Sequence, residues 1–282
     1  MDKMSERAIA VFDSGIGGLT VARELLSQLP REHLIYLGDT ARVPYGPREL
    51  TEVREFVLEI VDYLQSLNVK LIVIACNTGT AAGLEDAQLR SLVPVIGVIE
   101  PGAKAAVTGT TTGRIGVIAT EGTVDSGSYR RTLGHLSPEA EVISVACPPF
   151  VDFVERGEVE GERLLEAIEW YLRPLREAEV DALILGCTHY PLLEKPIGMV
   201  MGPEVRMISS AMAAANETKA VLAAEGLLNR SASPGSRRFL STGNPESFLG
   251  LGSRFLGLRI GQVEQVTIDS RNTEVVFVGP KD

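Results

Sequence analysis

Short, uninterrupted apolar runs recur along the chain, and most are followed by a segment whose apolar residues return every three or four positions. Residues 71–75 and 182–186 are such runs, and neither contains a charged residue. Runs of this length are typical of strands that are buried on both faces of a parallel sheet. Residues 50–67 show the helical spacing instead. The alternation predicts an α/β fold built from doubly wound, mostly parallel sheets.

Each of these two apolar runs is followed by a cysteine, Cys76 after the first and Cys187 after the second. Small hydrogen-bonding residues and a helix-like stretch follow both cysteines, and these matching settings predict two similar halves that face each other. Ligands of parallel α/β sheets bind at the carboxyl ends of the strands. Asp13, Tyr45 and Thr120 also follow predicted strands, so we expect them at the same site as the two thiols.

Charge and cysteine content exclude several classes of protein. The formal net charge is −10 at pH 7 and the isoelectric point is near 5.0, which argues against nucleic acid or an anionic membrane as the main partner. No apolar stretch reaches the roughly 18 residues of a membrane span, and the N-terminus has no secretory hydrophobic region. Three widely spaced cysteines do not make a disulfide framework. We therefore expect a reduced, soluble, cytoplasmic protein.

The thiol pair is compatible with several chemistries. A thiol at a helix N-terminus can have a lowered pKa, and two facing thiols would suit paired acid/base catalysis, in which one removes a proton from carbon and the other delivers one. His189, close behind Cys187, is a candidate proton relay. A redox pair, a nucleophile with its histidine, and a metal site are alternatives, although the sequence has no Cys-x-x-Cys or His-x-x-x-His spacing. Cys147, followed by two prolines, is interpreted as a bystander.

Five blocks of the sequence together resemble the glutamate racemases of the aspartate/glutamate racemase family. They are FDSGIGG at residues 12–18, YLGDTARVPYG at 36–46, ACNT at 75–78, VIGVIE at 95–100 and LGCTHYPLL at 185–193. The blocks occur in the family's order and span most of the chain up to about residue 210, whereas the C-terminal portion resembles the family only loosely.

The resemblance implies a fold of two similar domains with the active site between them. Residues 1–98 and 210–282 would form the first domain, which carries Cys76, and residues 99–209 the second, which carries Cys187. It also implies interconversion of L- and D-glutamate without pyridoxal phosphate, other cofactor or metal, which supplies D-glutamate for peptidoglycan. The expected partner is the small-molecule substrate, and the expected assembly is a homodimer.

The resemblance also implies roles for individual residues. Cys76 and Cys187 would be the two bases, acting on D-glutamate and L-glutamate respectively. Asp13 would assist Cys76, and His189, supported by Glu155, would assist Cys187. The side chains expected to hold the substrate are Asp13, Ser14, Tyr45, Gly46, Asn77, Thr78, Thr188 and His189.

Two further threonines, Thr120 and Thr123, are candidates on chemical grounds. Removal of an α-proton builds negative charge that fixed donors must stabilise, and both hydroxyls follow a predicted strand. They are equally well interpreted as helix caps. Other functions remain open: a racemase of aspartate or of a hydantoin, a protein-binding role towards DNA gyrase, which the resemblance also suggests, and a dithiol redox role.

Overall fold

The computed structural model describes residues 3–257 and 260–268. These residues form the strands β1 (Ile9–Asp13), β2 (Leu34–Gly38), β3 (Leu71–Ile74), β4 (Val95–Gly97), β5 (Arg114–Ala119), β6 (Glu141–Ala146), β7 (Ala182–Gly186), β8 (Arg206–Ser209), β9 (Arg237–Ser241) and β10 (Glu264–Gln265). They form the helices α1 (Leu19–Gln28), α2 (Leu50–Ser66), α3 (Asn77–Arg90), α4 (Ile99–Gly109), α5 (Glu121–Asp125), α6 (Ser128–Leu136), α7 (Pro149–Glu155), α8 (Glu162–Glu177), α9 (Glu194–Met201), α10 (Ser210–Ala224) and α11 (Pro245–Leu256). Met4–Glu6 and Tyr190–Leu193 are short 3-10 segments.

The first sheet has the strand order β10-β9-β2-β1-β3-β4, and its neighbouring strands are parallel. In its centre, Phe12 of β1 pairs with Leu37 of β2 on one side and with Ile74 of β3 on the other. Because the strands run in the same direction, this register brings Asp13 and Cys76 to one edge of the sheet. The carboxyl edge of the first sheet therefore carries two of the predicted site residues.

The second sheet has the order β6-β5-β7-β8 and is also parallel. Ala119 of β5 pairs with Ala146 on one side and Gly186 on the other, so Thr120 and Cys187 follow at the same edge. Two parallel sheets packed with helices confirm the predicted fold class.

The helices form where the apolar spacing predicts them. In α2 the buried residues recur at helical steps and face the first sheet; they include Val53, Val57, Ile60, Val61 and Leu64. The helix predicted from about residue 80 begins earlier, at Asn77, because the Cys76 sulfur accepts a hydrogen bond from the Gly79 N–H and caps its first turn. Cys76 is thus fixed at the junction of β3 and α3.

The strands of the second sheet all lie within residues 99–209, and the described strands of the first sheet all lie outside that range. We therefore retain the predicted boundaries, 1–98 with 210–282 and 99–209, as a proposal. Residues 1–2, 258–259 and 269–282 of the proposed first domain lie outside the described residues.

A buried ion pair between Lys70 and Glu32 lies at the end of the first sheet remote from Cys76, since Lys70 directly precedes β3. The Lys70 ammonium also donates to the carbonyl oxygens of Ser5 at 2.7 Å and Leu227 at 2.9 Å. The Glu32 carboxylate accepts from the N–H of Asn229 at 2.7 Å. The pair thereby fastens the N-terminal segment and the segment after α10 to the sheet.

We expect Lys70→Met to lower the free energy of unfolding by about 3–5 kcal/mol, because it leaves the Glu32 carboxylate buried and unpaired. Urea denaturation measures this change. The matched control is Lys104→Met, which removes a half-exposed ammonium paired with Glu100 and Glu217 and should cost less than about 1 kcal/mol. Equal losses of unfolding free energy in the two variants would contradict the stabilising role of the buried Lys70–Glu32 ion pair.

Candidate active site

A cavity of about 200 Å³ lies where the carboxyl edges of the two sheets meet. Most of the predicted site residues line it: Ser14, Tyr45, Gly46, Cys76, Asn77, Thr78, Thr120, Glu155, Cys187, Thr188 and His189. Asp13 and Thr123 are buried and are not among the lining residues. The lining residues that sequence reasoning missed are Val43, Pro44, Pro47, Glu121, Pro148, Val151, Asp152 and Gly186.

Cys76 is held on the first-domain side of the cavity by backbone and side-chain contacts. Its sulfur accepts from the Gly79 N–H at 3.3 Å, and its thiol donates to Ser14 Oγ at 3.9 Å. Burial raises the pKa of the Cys76 thiol to about 12, and the negative charge of Asp13 acts in the same direction. The Gly79 N–H at the helix N-terminus does lower this pKa, but desolvation of the thiolate outweighs it, so the net shift is upward.

Asp13 ends β1 and is fully buried. Its Oδ2 accepts hydrogen bonds from the N–H groups of Gly15 at 3.2 Å and Gly18 at 3.0 Å, whereas Oδ1 has no partner within the described part of the chain. Burial raises the pKa of the Asp13 carboxyl, and the charge of His189 opposes that rise. Asp13 therefore lies within electrostatic reach of both His189 and Cys76.

Cys187 lies on the second-domain side beside His189. The ring Nδ1 is 3.8 Å from Cys187 Sγ and 3.4 Å from Thr188 Oγ1. Cys187 is followed by the 3-10 segment Tyr190–Leu193 and not directly by an α-helix, so it lacks the α-helical N-terminus that its sequence setting predicted. Its polar neighbour is the imidazole.

Opposing influences act on the charge of His189. Burial lowers its pKa, but the Cys187 sulfur, the Glu155 carboxylate and the charge of Asp13 together raise it to about 10. Glu155 Oε1 lies 3.3 Å from Nε2, an ion-pair distance without hydrogen-bond alignment, and its side chain is 41% exposed, so solvent screens this contact. The net effect favours the imidazolium at neutral pH.

Three threonine hydroxyls form a triangle across the domain interface. Thr78 Oγ1 lies 2.9 Å from Thr120 Oγ1 and 3.1 Å from Thr123 Oγ1, and the latter two are 3.0 Å apart. Thr120 occupies the N-cap position of α5, but its side chain makes no capping hydrogen bond. The hydroxyls of Thr120 and Thr123 thus contact each other and Thr78, and the helix-cap interpretation does not hold for Thr120.

The loop at residues 43–47 covers part of the cavity from the first domain. Tyr45 within it is buried, and its hydroxyl donates to the Asp39 carboxylate. The Gly46 carbonyl accepts from the Gly122 N–H of the second domain at 2.9 Å. Two prolines, at positions 44 and 47, flank the predicted pair Tyr45 and Gly46 and restrict the backbone of the loop.

Gly17, in the glycine-rich turn at residues 13–18, lies close to the second domain. A Cβ at this position would lie 2.4 Å from Thr188 Oγ1 and 2.6 Å from Nδ1 of His189. Close by, the Thr20 hydroxyl bonds the Thr188 carbonyl at 3.1 Å. Only a residue without a side chain leaves room for His189 in this position.

Within residues 3–257 and 260–268, no group of three or more His, Cys, Asp or Glu side chains is arranged to hold a metal ion. No helix in the described ranges is long and apolar enough to cross a membrane.

The fold and the site define a two-domain α/β protein whose cavity lies at the domain interface, with one cysteine from each domain on its wall. The family model of Asp/Glu/Hydantoin racemase matches residues 13–218. A glutamate racemase from Parafrankia sp. is 52% identical over 261 residues, which cover 92% of this chain and 94% of that protein. This chain belongs to the Asp/Glu/Hydantoin racemase family, so the sequence resemblance and the predicted enzyme class, an isomerase, are confirmed.

Solved structures are similar over nearly the whole chain. Glutamate racemase isoform RacE1 from Bacillus anthracis has a TM-score of 0.90 and 43% identity, covering 94% of this chain and 98% of that one. Glutamate racemase from Francisella tularensis, in complex with D-glutamate, has a TM-score of 0.89 and 36% identity, covering 94% of this chain and 99% of that one.

We expect Gly17→Ala to lower the free energy of unfolding by about 1–3 kcal/mol, the usual cost of forcing a methyl group into a packed site. The matched control is Gly134→Ala in α6, where an added Cβ meets nothing within 4 Å; it should be stabilising by about 0.5–1 kcal/mol. Chemical denaturation measures both. A Gly17→Ala variant as stable as the parent would disprove the close approach.

A second prediction concerns the charge state of Cys76. In a variant whose only cysteine is Cys76, the ultraviolet absorbance of the thiolate is followed as the pH is raised. The midpoint of this titration should lie well above the usual thiol pKa of about 8.5, since burial and Asp13 both raise the pKa. Adding Asp13→Asn should move the midpoint down, because it removes the second cause. A midpoint near 8.5 before that change would contradict the assignment.

Proposed function

We propose that this chain interconverts L-glutamate and D-glutamate without a cofactor, using Cys76 and Cys187 as the two acid/base groups. The observation that carries the proposal is one cysteine from each domain on the wall of a single cavity. Support for glutamate as substrate comes from the relatives, which are glutamate racemases, and from the Francisella tularensis structure in complex with D-glutamate.

The two thiols have different charged neighbours. The His189 ring, whose cationic form is favoured, lies 3.8 Å from Cys187 Sγ. Cys76 keeps its proton, because burial and Asp13 raise the pKa of its thiol to about 12. In this state Cys187 takes the α-proton of L-glutamate, and Cys76 delivers its own proton to the opposite face of the same carbon.

The reverse reaction exchanges the two roles. Cys76 then takes the α-proton of D-glutamate, and Cys187 delivers one. Asp13 assists the loss of the Cys76 proton by accepting it, which also removes the negative charge that opposes the thiolate. Its own pKa is raised by burial, and its Oδ1 is unpartnered among the described residues. Glu155 assists the other side by stabilising the cationic form of His189.

Fixed donors are needed because removal of the α-proton builds negative charge on the substrate. Asn77 is 3% exposed, and its Nδ2 has no hydrogen-bond partner in the described ranges. Hydroxyl groups from both domains also line the cavity; they belong to Ser14, Thr78, Thr120 and Thr188. We assign these groups to the substrate carboxylates and Thr123 to support of Thr78 and Thr120. The Tyr45 and Gly46 segment closes the cavity over the substrate and limits the access of water.

The proposal includes three properties that follow from the family resemblance: supply of D-glutamate for peptidoglycan, assembly as a homodimer, and a cytoplasmic location. The three cysteines are buried and free, which suits a reducing compartment.

The direct test is incubation of the purified protein with L-glutamate in D₂O, without added pyridoxal phosphate and with a chelator present. The circular dichroism signal of L-glutamate should fall towards zero as D-glutamate forms, and NMR should show deuterium at Cα of the product. Inversion without deuterium would oppose a thiol pathway that exchanges with solvent. Turnover of aspartate or a hydantoin in place of glutamate would overturn the substrate assignment.

We expect Cys76→Ala and Cys187→Ala each to lower kcat for racemisation at least about a hundredfold, since each removes one acid/base group. The assay is the same optical measurement in both directions. Cys147→Ala is the matched control: Cys147 is also buried but is not among the residues that line the cavity, so racemisation should stay nearly intact. A large loss in Cys147→Ala with activity retained in the other two would reject the assignment.

A further inference from the structure

Tyr129 is a buried side chain of the second domain whose hydroxyl reaches a site residue of the first. It is the second residue of α6 and is 2% exposed. Its hydroxyl donates to Asn77 Oδ1 at 2.8 Å. Its ring lies against the end of β7, since a Cβ at Gly186 would be 3.0 Å from Tyr129 Cε2. The ring thus passes beside the residue that precedes Cys187 and ends at the first residue of α3.

The side-chain amide of Asn77 has two ends with different chemistry. The oxygen is an acceptor and the nitrogen a donor. Because the amide is planar, a hydrogen bond that fixes the position of the oxygen also fixes the position of the nitrogen. Tyr129 bonds the oxygen, while Nδ2 is buried without a partner in the described part of the chain. Asn77 itself lines the cavity. A buried donor without a partner is costly, and we infer that an acceptor bound in the cavity is its partner.

We propose that Tyr129 is a positioning residue of the substrate site: by bonding Asn77 Oδ1 it holds the amide with Nδ2 free to donate to a carboxylate oxygen of the substrate. This inference rests on the proposed function. The opposite amide orientation would present an acceptor oxygen to an anionic ligand and would repel it. The hydroxyl of Tyr129 therefore selects the binding orientation of a residue in the other domain.

The Tyr129 hydroxyl can donate this hydrogen bond at neutral and moderately alkaline pH. Burial raises the pKa of Tyr129, so the hydroxyl keeps the proton that it donates. The substrate carboxylate is present in the ground state and in the transition state, and a contact made in both affects KM more than kcat. Loss of the Tyr129 hydroxyl should therefore change KM and leave the pH profile of kcat in place.

The test is a double-mutant cycle on racemisation with Tyr129→Phe, Asn77→Ala and the combination. We expect Tyr129→Phe to raise KM for both enantiomers by about three- to tenfold, the range of one net hydrogen bond, with kcat changed less than about twofold. In the Asn77→Ala background the same change should have almost no effect on kcat/KM, since coupled residues are not additive. Equal factors in both backgrounds, or a loss confined to kcat, would overturn the inference.

The matched control is Tyr63→Phe, which also removes a buried hydroxyl but lies in α2, away from the cavity lining. Its hydroxyl has no hydrogen-bond partner in the described ranges, so KM should not change. A rise in KM matching that of Tyr129→Phe would show that loss of any buried hydroxyl is enough, and would overturn the inference.

A measurement on the unmutated protein tests the contact even if a variant fails to fold, and it does not depend on glutamate turnover. The Tyr129 hydroxyl proton should be visible by NMR in slow exchange with water, with a nuclear Overhauser effect to the side-chain amide of Asn77. Absence of that contact overturns the inference even if the protein racemises glutamate. Absence of glutamate turnover in the unmutated protein rejects the proposed function and the substrate role of Tyr129, while the NMR contact would stand.

Discussion

The close contact between the turn after β1 and the strand end at Thr188 and His189 determines the geometry of the whole site. Gly17 leaves no space for a side chain beside Thr188 and His189, and the Thr20 hydroxyl bonds the Thr188 carbonyl across the same interface. Since the turn also supplies the N–H groups that hold Asp13, one segment fixes an acidic group of the first domain and the imidazole of the second. The two halves of the site are therefore joined through this one segment.

Charged neighbours make the two thiol sides chemically different although their strands are alike and both thiols are buried. On the first side an anion, Asp13, adds to the effect of desolvation and raises the pKa of Cys76. On the second side desolvation of His189 is outweighed by its anionic neighbours, so a cation faces Cys187. In a low-dielectric site such neighbours act strongly. The similarity of the strands gives the two thiols matching positions, and the difference between Asp13 and His189 gives them different electrostatic surroundings.

Most of the fold and the strand-end residues of the site could be predicted from the sequence, because both depend on local patterns. An apolar run specifies a buried strand, and the residue after it necessarily lies at the carboxyl edge of the sheet, which is how Asp13, Cys76 and Cys187 could be grouped. The pKa of Cys76 could not be predicted, because desolvation depends on everything packed around it. Tyr129 gave no signal, since it lies within α6 and contacts Asn77 only when the two domains meet.

The contacts between the domains explain why the donors of the cavity become available together. The triangle of Thr78, Thr120 and Thr123 draws on both domains, as does the bond between Gly122 N–H and the Gly46 carbonyl. Each of these polar groups satisfies a partner across the interface, so separation of the domains would expose all of them to water at once. The interface thus sets the donors in place, and a preorganised cavity from which water is excluded is where fixed dipoles stabilise developing charge most effectively. The packing of the two domains against each other therefore positions the donors on which the chemistry of the site depends.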